Sequence, residues 1–139
     1  MKKTFYTLIC ILFLTSSFGQ ETTTKKGPEI KFLNLTYDYD TIERYSNGTR
    51  TFTFYNIGDE PLIIKKVKSG CSCTVPSYTK DTIPPFGKGE ISARYNTKKY
   101  GKFNRELTVF SNATNGRVKI RIKGVIIDPK KTWGVEPKQ

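Results

Sequence analysis

Two cysteines stand one residue apart at Cys71-Ser72-Cys73, in a chain of 139 residues that has three cysteines and no histidine. A thiol pair at this spacing can close a disulfide, exchange with another one, or offer two thiolates to a soft metal ion. On an extended strand both thiols point to the same face, with Cα atoms about 6.5 Å apart. That is near the upper limit for a disulfide, roughly 6.8 Å, so a bond between them requires a bend. Gly70 and Ser72 permit one. The redox reading lacks the helix start that lowers a thiol pKa in C-x-x-C motifs and has only Lys66 and Lys68 as sources of positive charge. A copper(I) site, or half of a zinc site, would need ligands from a second subunit or from Asp38, Asp40 or Asp81. A structural disulfide, a redox or copper pair, and packed reduced thiols all stand open for Cys71 and Cys73.

Other catalytic chemistry finds little material. Without histidine no Ser-His or Cys-His pair can form, the acids are scattered through turns, and no S-x-x-K string sits in a helical pattern. The expectation is a non-enzyme that requires no cofactor. Three Asn-x-Ser/Thr strings, at Asn34, Asn47 and Asn112, matter only in a eukaryotic secretory path. Asp40-Thr41-Ile42 and Asp81-Thr82-Ile83 resemble the short O-glycosylation motif of Bacteroidetes, which makes Thr41 and Thr82 candidate acceptors.

The compartment is written in the first residues. Lys2-Lys3, the apolar run Phe5 to Leu14, and Ser17 and Gly19 at the −3 and −1 positions form a secretory signal, expected to be cut before Gln20. The run is about half of the roughly 20 apolar residues a bilayer span needs, so no transmembrane anchor is expected after cleavage. Cys10 leaves with the signal. The remaining chain carries 22 Lys and Arg against 12 Asp and Glu, since Lys2 and Lys3 are lost from 24, a net charge of +10. Nucleic acid is not an expected partner of an exported chain. Anionic envelope glycans, lipid head groups and acidic proteins are the natural counterparts, although no compact basic cluster with interleaved aromatics appears in the sequence.

The elements that must position the cysteines are strands. In Arg117 to Ile127, Val118, Ile120 and Ile122 alternate with Lys119, Arg121 and Lys123, which gives a strand one buried face and one wet face. The same period runs through Thr51 to Phe54, Ile91 to Tyr95 and Glu106 to Val109, and a helical period is nowhere sustained. Ser46-Asn47-Gly48, Asn56 to Pro61, Pro84 to Gly89 and Asn112 to Gly116 are turn clusters. Short amphipathic strands at this spacing stack two sheets, so the expected fold is an all-β, immunoglobulin-like sandwich of about seven strands. The expected divisions are a signal peptide at 1–19, a mobile segment at 20–29, the sandwich at 30–127 and a tail at 128–139, whose Trp133 packs back on its own domain. Leu62 and Ile64 alternate but Val67 is out of phase, which predicts a β-bulge at Lys65-Lys66 and a turn just before Gly70. Cys71 and Cys73 then lie past the regular ladder, in a segment ended by Pro76. There they are expected to bond to each other or to a partner chain.

The chain also resembles a known family. Phe52-x-Phe54-x-Asn56-x-Gly58, Pro61-Leu62-x-Ile64, Ser69-Gly70-Cys71-Ser72-Cys73-Thr74-x-Pro76 and Ile83-Pro84-Pro85 resemble, in order, the bacterial domain of unknown function DUF1573. Gly89-Glu90-Ile91, Tyr95-Asn96-Thr97, Gly101-x-Phe103 and Ile122-Lys123-Gly124 continue the match, which covers about Tyr37 to Ile127. One departure is Asp40, where that family usually has glycine. The resemblance implies a PapD-like or major-sperm-protein-like sandwich, abundant in secreted proteins of Bacteroidetes, and no established activity. The expected function is an exported, non-catalytic module that binds a protein or peptide partner in the envelope, with an extended peptide added at a sheet edge as the expected mode. The alternative is a thiol-disulfide or copper-handling protein. With no sorting domain evident after Ile127, periplasmic residence is expected over surface display.

Overall fold

The computed structural model describes residues 27–131. The expected signal peptide 1–19, residues 20–26 and Trp133 of the tail lie outside the described residues. Within them, period-two alternation becomes strand wherever the sequence carries it: β1 (Ile30–Phe32), β2 (Thr36–Glu43), β3 (Thr49–Asn56), β4 (Ile64–Ser69), β5 (Thr74–Tyr78), β6 (Lys88–Tyr95), β7 (Gly101–Ser111) and β8 (Val118–Ile127). They form two four-stranded sheets, ordered β1-β3-β6-β5 and β2-β8-β7-β4. This is the immunoglobulin-like sandwich, with eight described strands where about seven were expected.

The alternation also sets the register, because a slip of one residue would send each buried side chain to water. On β8, Ile120 and Ile122 are fully buried while Lys119, Arg121 and Lys123 are exposed. Phe52, Phe54, Ile91 and Ala93 line the inner face of the first sheet, and Leu107, Val109, Ile120 and Ile126 that of the second. Each large apolar side chain so buried contributes roughly 1.5–3 kcal/mol. At one end three aromatics tie the sheets together: Tyr95 stacks on Phe103 at 4.0 Å between centroids, and Tyr39 meets the edge of Phe103 at 5.2 Å.

Several residues that carry the resemblance have architectural reasons. Asn56 is fully buried; its Oδ1 accepts from Glu29 N and Gly58 N, and its Nδ2 donates to the carbonyls of Glu60 and Ile83. Gly58 runs so close to Gly27–Glu29 that a Cβ would strike their backbone. Gly27 to Glu29 fall on the segment expected to be mobile, yet they are held: Gly27 N donates to Asp59 Oδ1 at 2.6 Å and Thr114 N to Pro28 O at 2.8 Å. Asp40 has φ of 52° at the register shift between Asp38 and Thr41, where β2 runs parallel to β8. That left-handed conformation suits glycine; aspartate tolerates it here with its N–H donating to Asp38 Oδ1 at 2.9 Å.

Tyr39 gives the fold an alkaline limit. Its hydroxyl donates to Gly48 O at 2.7 Å, and burial pushes its pKa up to about 12 against the opposing field of Arg50. A raised pKa favours the protonated native state, so this contribution is complete below the ordinary tyrosine value near 10 and is lost as pH climbs toward 12. Denaturant titrations should show stability falling between those pH values, and Tyr39→Phe should flatten that fall while costing about 1 kcal/mol at neutral pH.

Candidate functional site

The cysteine turn follows from the end of β4. The β4–β7 ladder slips between Ile64 and Lys66, where the change of phase demanded an extra residue, and its last backbone contact is Gly70 N to Glu106 O at 3.4 Å. The chain then crosses to the other sheet through Cys71–Cys73, which are joined as a disulfide with Cα atoms 5.3 Å apart. That is shorter than the strand spacing because Cys71 lies in the turn, with Thr74 N donating to Cys71 O. The segment does not end at Pro76, since β5 runs through it to Tyr78. Cys73 O and Thr79 N bond to Asn96 and Glu90 of the β6 side, so by the alternation of the ladder Pro76 turns to the free edge, where no donor is needed.

A loop of three residues gains little from cross-linking, about 1.5 kcal/mol by loop-closure entropy. Cys71→Ser should therefore lower unfolding stability by no more than about 1–2 kcal/mol, measured by denaturant titration. The acids that a metal site would have needed do not gather: among the described residues no group of three or more Cys, Asp or Glu side chains comes together. Asp38 and Asp40 lie on β2, the edge opposite β4 in their sheet, with Asp38 paired to Lys123 at 2.9 Å. Lys66 does not turn to the cysteines; its Nζ lies 5.2 Å from the Phe110 ring, and Arg117 reaches the same ring at 5.1 Å. Lys66 of β4, Phe110 of β7 and Arg117 just before β8 thus assemble a cation–aromatic cluster that the linear sequence did not display.

The disulfide borders two grooves. The smaller, of about 310 Å³, is lined by Cys71, Lys68 and Arg105, whose Nε is buried without a hydrogen-bond partner. The larger, of about 540 Å³, lies between the Tyr45–Gly48 turn and Ser72–Cys73, on the outer face of the first sheet. Strand pairing sets Arg94 there between Val75 of β5 and Thr49 of β3. Tyr45 is 68% exposed and has φ of 67°, a conformation a bulky side chain rarely adopts. It is held there by its N–H to Thr97 O at 3.2 Å, with the Arg44 guanidinium 4.9 Å from the ring centroid. Arg44 is fixed in turn by Lys98 O at 2.6 Å and by Asp128 at 2.8 Å, and the hydrogen bond from Arg44 holds the Asp128 carboxyl below its usual range. Tyr45, Val75 and Arg94 had no functional mark in the sequence; the available signal was a large aromatic directly before the turn cluster Ser46-Asn47-Gly48.

Thr41 and Thr82 are both exposed, Thr41 just beyond the Asp40 bulge on edge strand β2 and Thr82 in the loop before β6. The expected addition of a peptide strand meets blunted edges among the described residues. On β1, Asn115 occupies both the N–H and the carbonyl of Ile30; β5 lacks a donor at Pro76; β4 is bulged, and its Lys65 carbonyl accepts from the Tyr78 hydroxyl; β2 is broken at Asp40. The groove is the more open feature.

The fold is similar to that of a protein of unknown function from Porphyromonas gingivalis W83, with a TM-score of 0.64 and 12% identity over 76% of this chain and 50% of that one. This chain thus spans half the length of that protein. It is also similar to a PapD-like domain of human CEP192, with a TM-score of 0.61 and 10% identity over 72% of this chain and 86% of that one. A third likeness is to the Pseudomonas aeruginosa CupB2 chaperone, with a TM-score of 0.51 and 8% identity over 69% and 55%. At such identities the likeness shows fold alone. No curated protein sequence matches the chain. The family model of the proteins of unknown function DUF1573 matches residues 30–126, which spans both sheets and the disulfide turn, and the chain belongs to that family.

Proposed function

We propose that this protein is an exported, non-catalytic binding module of the bacterial envelope, and that its protein or peptide partner sits in the groove at the disulfide end. The observation that carries this reading is Tyr45, held in a strained left-handed conformation and largely exposed on the same groove as an exposed Val75. Both features cost free energy in the isolated domain, and contact with a partner offsets the exposure. The likeness to the CupB2 chaperone supports protein binding, and the signal sequence supports export; periplasmic residence is proposed with it. Affinity capture from envelope extract with the wild type and with Val75→Arg tests the site. A partner held by the wild type and lost by the variant supports it, and a partner held equally by both contradicts it. Cell fractionation that put the bulk of the protein in the medium would contradict periplasmic residence.

Thiol-disulfide exchange is the second reading, favoured by one observation: Cys73 lines the larger groove and Cys71 the smaller, so the bond is bordered by both. Insulin reduction by a dithiol, catalysed by the wild type and not by Cys71→Ser, would establish it in place of the first. Thr41 and Thr82 are proposed O-glycan acceptors on the same footing as export, to be read by intact mass of protein from the native cells.

A further inference from the structure

The walls of the larger groove carry a sign. Arg94 and Lys98 line it and Arg50 supports its rim, while the charge of Arg44 at the rim is matched by Asp128; no acidic residue is among those lining it. Neither Arg94 nor Lys98 has an acidic partner among the described residues, a state they share with other surface cations such as Lys65 and Lys80; what sets the groove apart is that both stand on one concave wall with no carboxylate in its lining. Glu90 stands on the same strand face as Arg94 but four residues away, about 13 Å, beyond a Debye length in physiological salt. Beside these cations lie two bare apolar side chains, Tyr45 and Val75, at 68% and 54% exposure. The volume, about 540 Å³, is within the range of roughly 300–1,000 Å³ that takes a few side chains of a ligand.

We infer that the groove takes an extended acidic peptide, with carboxylates on Arg94 and Lys98 and an apolar side chain against Tyr45 and Val75. This deepens the reading of the groove as the binding site and rests on it. The guanidinium of Arg94, one strand away from Val75, offers a planar fork that matches a carboxylate. In an extended peptide, side chains on one face recur at about 6.8 Å, a spacing at which one carboxylate and one apolar group reach neighbouring strands of the floor. An acidic polysaccharide shares the charge but has no apolar side chain to cover Tyr45 and Val75.

The test uses fluorescence anisotropy with two probes, a labelled random copolymer of glutamate and tyrosine and labelled polygalacturonate. The proteins are the wild type, Arg94→Glu/Lys98→Glu, Tyr45→Gly and, as a control with the same charge change elsewhere, Lys66→Glu/Lys68→Glu. Glycine suits the φ of Tyr45, so that variant removes the ring without threatening the fold. The inference predicts that the copolymer binds the wild type, is weakened about tenfold or more by the groove charge reversal and about threefold or more by Tyr45→Gly, and changes by less than about twofold in the control. Equal weakening in the control overturns it, as mere net charge. Polygalacturonate binding as tightly, with the same dependence on the groove, overturns the peptide as ligand. A photo-crosslinker at Val75 separates the two levels: a protein adduct there with no charge dependence of copolymer binding removes the acidic ligand and keeps the site, and the absence of both removes both.

Discussion

Replacing Asn56 by alanine is expected to lower the unfolding free energy by about 3–5 kcal/mol, among the largest effects of any single side chain here. The side chain is fully buried and closes four hydrogen bonds, two as acceptor from Glu29 N and Gly58 N and two as donor to Glu60 O and Ile83 O. Truncation leaves these backbone groups unpaired, at about 1–3 kcal/mol for each one that water cannot reach, and partial relaxation keeps the total below the simple sum. Asn56→Asp keeps the shape but replaces both donors by a carboxylate facing two carbonyls. It should be about as damaging at neutral pH and less so in acid, where protonation restores one donor. Denaturant titrations at both pH values measure this, and a loss below about 1 kcal/mol for alanine would contradict the role given to Asn56.

The second large effect joins Gly89 to Phe54. A Cβ on Gly89 would press into the Phe54 ring and Ile83, so Gly89→Ala should cost about 1–3 kcal/mol by overfilling the core. Phe54→Ala should cost about 3–5 kcal/mol by emptying it. The two faults are opposite in sign of volume. In a Phe54→Leu background, Gly89→Ala should therefore cost less than about 1 kcal/mol, and a double-mutant cycle reads the coupling. Additivity would mean that the two residues do not share the space the structure gives them.

Much of the sandwich was legible because its rules are local. Alternation marked β8, β3, β6 and the middle of β7, and the phase change between Ile64 and Val67 marked the bulge that turns the chain toward the cysteines. What was not legible depends on which strands meet. Nothing in Thr36–Glu43 announces that it runs parallel to β8, and Pro76 read as a terminator because the side of β5 that lies free is decided by its pairing with β6. Gly27–Glu29 read as a polar end because their tethers, Asp59, Asn56 and Thr114, are far away in sequence. The groove was hidden for the same reason: Tyr45, Cys73 and Arg94 come from three separate segments. The motifs that identify the family proved mostly structural, with Phe54, Asn56, Gly58 and Gly89 each fixed by packing or hydrogen bonding, which is why a specific resemblance said so little about activity.

The central claim is that the groove at the disulfide end holds a partner. The most direct measurement is site-specific photo-crosslinking in the native cells, with p-benzoylphenylalanine at Val75 in the groove or at Lys119 on the outer face of the other sheet. The account predicts a discrete protein adduct from Val75, absent when Tyr45→Gly is added, and none from Lys119. An adduct from Lys119 with none from Val75 would contradict it and move the binding surface to the β2-β8-β7-β4 sheet.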